Sequence, residues 1–425
     1  MCASGFMASV SNFPLPAPPP NPATRAFGAL RLPGFLPFVT TMLLTMLADN
    51  VEHVMSYWVM SQKFHSASLG GFAVIAHWLP FLVFSVPVGA LNDRFDSRRL
   101  IQLGAGLFLL VSLGWGYFFV TGTLQMWHAM VLLVLHGCAG VLWLTSSQML
   151  LYDIVGRDAI TSAVRLSATA RYMGMLVGPG IGSILMRTLG TTHGMFLNAA
   201  LYLPILWWLV AAPYGVKYRV VEAVRRPVRG LSDIITTVRD VRQLPVLSAM
   251  ILLAGAASFF IGNSYQAQMP LFAADLGHGD PGAAYTMLLG ADAAGAFMGG
   301  ILLESGFRIF QIRTHNALVL AILWAGSLCA FALVGSYALA IGLLFCAGFF
   351  ELSFSSMTQT IVQLEAPSEI RGRVLGLFGM SSAGLRTFSG VIVGVLGSFA
   401  TVHLSLALAA GALAVIAIIL RVTLR

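Results

Sequence analysis

Charged residues are scarce in this sequence. Asp, Glu, Lys and Arg together make up 9% of its 425 residues, whereas hydrophobic residues make up 58% and the mean hydropathy is +0.85. Soluble domains carry about 25% charged residues, so this composition excludes an ordinary soluble enzyme. It also excludes a disordered chain, because so much apolar surface cannot remain in water. The remaining class is a membrane protein that crosses the bilayer several times.

Lysine and cysteine are also rare. Lys63 and Lys217 are the only lysines among 24 basic residues, so the net charge of +8 comes from arginine. The four cysteines form no CxxC pair, and three of them lie within apolar runs. We therefore expect neither a disulfide nor a cysteine metal site.

The chain contains twelve apolar runs of the roughly 20 residues needed to span a bilayer. They are predicted at 34–61, 69–91, 100–121, 127–152, 163–187, 193–212, 245–272, 283–304, 314–334, 337–363, 373–399 and 402–421. Residues 1–30 are expected to be a flexible Pro-rich cytoplasmic tail and not a signal peptide. The sequence thus predicts an all-α membrane protein with two six-helix bundles, 31–212 and 245–425, joined by a linker at 213–244.

The arginines predict the orientation. They cluster in alternate loops, at 25–31, 94–99, 157–165, 217–242, 308–313, 371–373 and 421–425, while the opposite side has little besides Lys63. Because basic residues collect in cytoplasmic loops, both termini and the linker are predicted to be cytoplasmic, in the cell (inner) membrane.

The two bundles resemble a duplication. Three pairs of residues in corresponding loops share a spacing of 211 positions: Gly89 and Gly300, Asp93 and Glu304, and Asp158 and Glu369. Two repeated bundles with a substrate path between them are typical of secondary transporters.

The loop after the second span carries the most specific motif, with Gly89, Asp93, Arg94, Arg98 and Arg99 in order. It resembles the signature loop of the major facilitator superfamily, G-x-L-A-D-R-x-G-R-R/K, although Asn92 and Asp96 depart from that pattern. Asp93 can pair with an arginine or cap a helix N-terminus of the other bundle. Such a contact would close a gate on the cytoplasmic side in one state.

The fifth span contains Gly174, Gly178, Pro179 and Gly182, with Ser183 next. This run resembles the G-x-x-x-G-P-x-x-G-G element of facilitator-superfamily exporters. Its small residues let a neighbouring helix approach, and the proline bends the helix; ordinary small-residue packing is the alternative explanation.

Over residues ~30–421 the chain resembles the drug-proton antiporter group that includes macrolide and siderophore exporters. The passages that carry this placement are Tyr152-Asp153 to Ala163 and 365–374. One departure is that His136 stands four residues before Gly140, where many drug antiporters have arginine. The proton-relay role of that arginine therefore cannot be transferred unchanged.

The first span carries Asp49, Glu52, His53 and Ser56 at membrane depth, where each ionisable group costs about 2.5–3.5 kcal/mol on insertion scales. We expect this face to line a central cavity. Asp49 or Glu52 is the preferred proton acceptor, because a buried carboxyl can take up and release protons near neutral pH. The alternative is a purely structural buried pair with Arg171.

Further polar residues at membrane depth are candidates for the same cavity: His77, His136, Arg171, Asn263, Tyr265, Gln266, Gln268, Asp292, Glu351, Gln359 and Arg386. Glu351 and Asp292 are the second choice for proton coupling. Four aromatic residues could stack on a planar substrate, although most such residues anchor helices at the interface: Tyr57, Trp58, Trp78 and Trp143.

The function predicted from these features is proton-coupled export of a medium-sized organic molecule. Divalent-metal export is the alternative, because Asp49 and His53 are similar to an Asp-x-x-x-His pair of iron exporters. No Walker A, HExxH or GxSxG motif is present, so an enzyme is not expected. The expected partners are a small-molecule substrate, protons and lipid, with no nucleic acid and no cofactor, and the chain is expected to act as a monomer.

Overall fold

The computed structural model describes residues 26–215, 227–262, 264–276, 283–304, 311–389 and 401–424. Within these residues the secondary structure is helical, with no strand, and each of the twelve predicted spans contains helix. The first three helices are α1 (Phe35–Phe64), α2 (Ala67–Arg94) and α3 (Ser97–Thr121). The side chain of Ser66 caps α2 and that of Asp96 caps α3, because each accepts a backbone N–H of the first turn.

A continuous helical stretch from Met126 to Ala200 follows, which two glycines divide. Gly156 and Gly190 have φ of 67° and 75°, values that L side chains rarely adopt, so the chain changes direction there. The resulting helices are α4 (126–155), α5 (157–189) and α6, which comprises 191–200 and Leu203–Ala211.

The central segment contains a short helix, α7 (Ser232–Val241), within the predicted linker. The second bundle comprises α8 (Pro245–Phe260, continued by Ser264–Ala267 and Met269–Asp275), α9 (Ala283–Glu304), α10 (Thr314–Leu333) and α11 (Tyr337–Glu365). The last two helices are α12 and α13 (Val402–Thr423). Helix α12 runs from Arg371 to Gly379, continues through a π-helical turn at Met380–Gly384 and is helical again at 386–389.

Seven helical segments of the described residues are long and apolar enough to cross a membrane, and one of them, Met126–Ala211, contains three helices in sequence. Helix α1 is not among the seven, although it has 30 residues. Its acidic and imidazole side chains lower its hydropathy, which indicates that α1 faces a polar interior.

Small residues bring α5 and α1 together. A Cβ at Gly174 would lie 2.8 Å from the Cβ of Met46, and one at Gly178 would lie 2.5 Å from the Cβ of Asn50. Both distances are shorter than carbon atoms tolerate, so only glycine permits this packing. The close helix approach predicted from the glycine run of α5 is present.

Candidate functional site

A cavity of about 290 Å³ lies between the two bundles. Helices α1 to α5 of the first bundle line it together with α8, α11 and α12 of the second. Both bundles therefore contribute side chains to one cavity at membrane depth.

His136 connects two acidic residues of α1. Its Nδ1 lies 2.8 Å from Oε1 of Glu52, and its Nε2 lies 2.8 Å from Oδ1 of Asp49. Because a carboxylate only accepts hydrogen bonds, an imidazolium that donates through both nitrogens satisfies all these atoms. An imidazolium at His136 would thus place a positive charge where many drug antiporters have arginine.

The two acidic residues face different surroundings. Asp49 lines the cavity with His53, whereas Glu52 is 2% exposed and accepts a hydrogen bond from the hydroxyl of Ser112 behind α1. The prediction that all four polar residues of α1 line the cavity is therefore wrong for Glu52 and for Ser56, which is buried and donates to the Glu52 carbonyl. At about 100° per residue, Glu52 lies on the opposite side of Asp49 from His53, so the polar stripe divides.

Three imidazoles gather beside this pair. The ring centroid of His53 lies 4.7 Å from that of His136 and 4.9 Å from that of His77. The Nδ1 of His53 lies 2.8 Å from the backbone oxygen of Asp49, to which it can donate. Its separation from the Asp49 carboxylate is 3.6 Å.

The second bundle holds a different cluster. The hydroxyl of Tyr265 lies 3.1 Å from Oδ2 of Asp292 and 3.1 Å from Oε2 of Glu351. Tyr172 of the first bundle donates to Glu351 over 2.9 Å, and Gln266 donates to Asp292 over 3.0 Å. Since the Tyr265 hydroxyl carries one hydrogen, both contacts are satisfied together only when one of the carboxyls is protonated.

Not every polar candidate touches the cavity. Glu351, Gln266 and Gln359 line it, whereas Asp292 and Tyr265 are buried behind Glu351. Asn263 lies outside the described residues. The importance of Tyr172 was missed, because tyrosine in a membrane span is more often an interface anchor.

Two arginines also line the cavity, Arg171 on α5 and Arg386 on α12. Arg171 does not pair with Asp49 or Glu52, because His136 contacts both carboxylates instead. The alternative that the first span forms a structural pair with Arg171 is therefore wrong. The guanidinium of Arg386 lies 5.1 Å from the ring centroid of Trp78. Of the four aromatic candidates, Tyr57, Trp78 and Trp143 line the cavity, whereas Trp58 is 51% exposed and does not.

At the α2–α3 end of the molecule, Asp93 joins the two bundles. Its carboxylate accepts the backbone N–H of Gly372 at 2.6 Å and Nη1 of Arg373 at 2.9 Å. Both kinds of partner foreseen for Asp93, an arginine and a helix N-terminus, are therefore present. Arg373 is held in turn by Asp233 of α7, at 3.3 Å. We call this contact of Asp93 with the start of α12 the first lock.

Glu304, which follows Asp93 by 211 positions, makes the matching contact. It accepts the hydroxyl of Ser162 on α5 at 2.7 Å and the backbone N–H of Phe27 at 2.9 Å, and Arg165 donates to the Leu303 carbonyl at 2.5 Å. We call this contact of α9 with α5 the second lock.

Gly89 permits the first lock, because a Cβ there would overlap the carbonyl of Gly372.

The arginines of the signature loop act within the first bundle. Arg98 binds Asp96 at 2.6 Å and donates to the carbonyl of Ala212, and Arg99 bonds Gln102. Arg94 lies over the ring of Phe95. Burial opposes ionisation of Asp96, but the hydrogen bonds and charge of Arg98 outweigh it and hold the pKa of Asp96 below its usual range. The contact that this loop makes with the second bundle thus involves Gly89 and Asp93, while Arg98 ties the loop to the end of α6.

The sequence is similar to that of known transporters. The sequence model of a family described as transmembrane secretion effector matches residues 24–425. The multidrug efflux pump Tap of Mycolicibacterium fortuitum is 24% identical over 375 residues, covering 85% of this chain and 88% of that protein. Tap of Mycobacterium tuberculosis is 23% identical over 372 residues, covering 82% and 83%.

Two solved structures share the fold. The FucP transporter in its outward conformation superposes with a TM-score of 0.70 at 13% identity, covering 93% of this chain and 99% of that one. The human organic anion transporter MFSD10 gives a TM-score of 0.70 at 13% identity, covering 91% and 100%. The predicted twelve-helix transporter fold is confirmed. The chain belongs to the transmembrane secretion effector family of the major facilitator superfamily.

Proposed function

We propose that the protein exports drug-sized organic molecules from the cell in exchange for protons. The observation that carries this proposal is one cavity, lined by both bundles, into which a protonatable cluster of each bundle reaches through Asp49 and Glu351. A substrate and protons that share these carboxylates would occupy them in turn. Tap, the relative named above, is a multidrug efflux pump, which supports export as the direction.

We assign the two locks to the cytoplasmic side, because the arginine-rich loops lie at that end. The two bundles then comprise residues 31–212 and 245–425, and the linker at 213–244 and both termini are cytoplasmic. The protein acts as a monomer in the cell (inner) membrane. Since both locks are made, we infer that the state described here faces outward. A second cavity supports this, because Tyr57 lines both cavities and the second one lies where α1 ends and α2 begins.

In the return to the inward state both locks must open. Asp93 would leave the start of α12 and Glu304 would leave Ser162, while the cavity closes on its other side. Glycines at the contact, such as Gly376 against Ser85, allow α12 and α2 to slide without interlocking side chains.

Export of a divalent metal has less support. The Nδ1 of His53 is directed to a backbone oxygen, and Oδ1 of Asp49 is directed to His136. The Nδ1 of His53 lies 3.6 Å from Oδ2 of Asp49 but is already engaged by the backbone, so it is not free to bind a metal beside that carboxylate.

The test uses everted membrane vesicles with an imposed proton gradient, acid inside, and a cationic dye such as ethidium outside. We expect uptake that a protonophore abolishes and that Asp49→Asn or Glu351→Gln uncouples from the gradient. Uptake that continues unchanged after the gradient collapses would overturn proton coupling.

A further inference from the structure

Two positive charges in the cavity have no acidic partner. Among the described residues, the guanidinium groups of Arg171 and Arg386 form neither an ion pair nor a hydrogen bond, and the Nε of Arg386 is buried without a partner. The two guanidiniums come from different bundles and interact electrostatically across the same space. An arginine at membrane depth is costly unless an anion or a polar ligand compensates it.

The carboxylates nearby do not supply that compensation directly. Asp49 is bound by His136, and Glu351 accepts from Tyr172 and Tyr265. The charge of Arg386 acts on Glu351, yet the two make no ion pair. The acidic groups are thus hydrogen-bonded by the protein, whereas the guanidiniums remain available to a ligand.

Aromatic rings surround the arginines. Trp78 lies under Arg386 at 5.1 Å, and Phe81, Trp143 and Phe378 line the same cavity. Flat rings beside guanidinium groups suit a planar ligand whose acidic group reaches both arginines.

We propose that the cavity selects aromatic zwitterions, with the ligand's acidic group held between Arg171 and Arg386 and its cationic group directed to Asp49 or Glu351. This inference rests on the proposed function and names its substrate class. The cationic group would displace protons from the carboxylates, as exchange requires. The acidic group would bridge α5 and α12 and so connect the two bundles when the ligand is bound.

The probes are rhodamine B, a zwitterion with a free carboxylate, and its ethyl ester, which keeps the aromatic body and the positive charge but loses the acid. Binding to the purified protein is measured by fluorescence polarisation. We expect rhodamine B to bind at least about tenfold more tightly than the ester. Arg171→Gln and Arg386→Gln should remove that advantage and leave binding of the ester nearly unchanged.

Arg187→Gln is the matched control, because Arg187 lies on the same helix as Arg171 but is exposed and outside the cavity. If a glutamine variant fails to fold, Arg386→Lys and Arg171→Lys keep the charge but lose the two-pronged contact, so an intermediate preference for rhodamine B is expected. Equal binding of the two dyes by the wild type, or equal loss of both in the variants, would overturn the proposal.

Vesicle transport separates this proposal from the proposed function. Proton-driven uptake of the ester with no preference for rhodamine B would overturn the zwitterion site and leave drug export standing. Arginine-dependent binding of rhodamine B without proton-driven transport of either dye would support the site and overturn the export function.

Discussion

The two bundles place different chemistry on corresponding helices. In the first bundle, two carboxylates on α1 share His136 of α4, so a positive charge lies between them. In the second, carboxylates on α9 and α11 share the neutral hydroxyl of Tyr265 on α8. The first cluster therefore contains one imidazole that can carry a positive charge for its two carboxylates, whereas the second contains no cation among its hydrogen-bonded partners and is satisfied only with a proton. Corresponding helices thus carry two unequal polar clusters.

The largest expected effect comes from removing the charge of the first cluster. His136→Gln leaves two neighbouring carboxylates without a cation, and breaking a buried pair costs about 3–5 kcal/mol. We expect a marked fall in the thermal unfolding temperature of the purified protein and loss of dye export. His136→Arg, which restores the residue of many drug antiporters, should retain stability. A stable and active glutamine variant would contradict the role of this charge.

Neutralising the second cluster should affect coupling more than stability. Glu351→Gln and Asp292→Asn keep hydrogen-bonding groups, so the expected loss of stability is only about 0.5–1.5 kcal/mol. Transport by either variant should lose most of its dependence on the proton gradient. Glu365→Gln, an exposed position on the same helix, is the matched control. Gradient-driven transport at wild-type rates in both Glu351→Gln and Asp292→Asn would place the proton site in the first bundle alone.

The two locks allow a smaller comparison. Asp93 accepts from two backbone N–H groups and a guanidinium, whereas Glu304 accepts from a hydroxyl and one backbone N–H. Asp93 therefore has one contact more than Glu304, and that additional partner is a cation, so Asp93→Asn should slow turnover about tenfold and Glu304→Gln about threefold. Dye affinity should stay nearly constant in both, since neither residue lines the cavity. Lost binding with unchanged turnover in Asp93→Asn would contradict a gating role.

Much of this arrangement follows from the sequence, because a membrane restricts both the length of an apolar helix and the positions of charged residues. Apolar runs predicted the spans, and the cost of charge at membrane depth identified Asp49, Glu351 and Arg386 as unusual. The 211-residue spacing also identified Glu304 as the residue that corresponds to Asp93. The two kinds of partner predicted for Asp93, an arginine and a helix N-terminus, are both present.

The pairings inside the membrane could not be predicted in the same way. Whether His136 meets Asp49 and Glu52 depends on how closely α1 and α4 approach and on how each helix is rotated. Adjacent residues of a helix point about 100° apart, so Glu52 is buried behind α1 while His53 lines the cavity. In the same way Trp58 is exposed while Tyr57 lines the cavity. Tyr172 gave no signal, since a single tyrosine does not reveal which carboxylate it will meet across the two bundles.

Proton release on substrate binding shows directly whether substrate and protons exchange at the shared carboxylates. Purified protein in weakly buffered detergent solution is mixed with the cationic ethyl ester of rhodamine B between about pH 5 and 8, and the bulk pH is followed with an indicator. We expect that binding releases protons and that the double variant Asp49→Asn, Glu351→Gln binds the dye without releasing them. Tight binding by the wild type with no proton release at any pH in this range would contradict exchange of substrate and protons at the shared carboxylates.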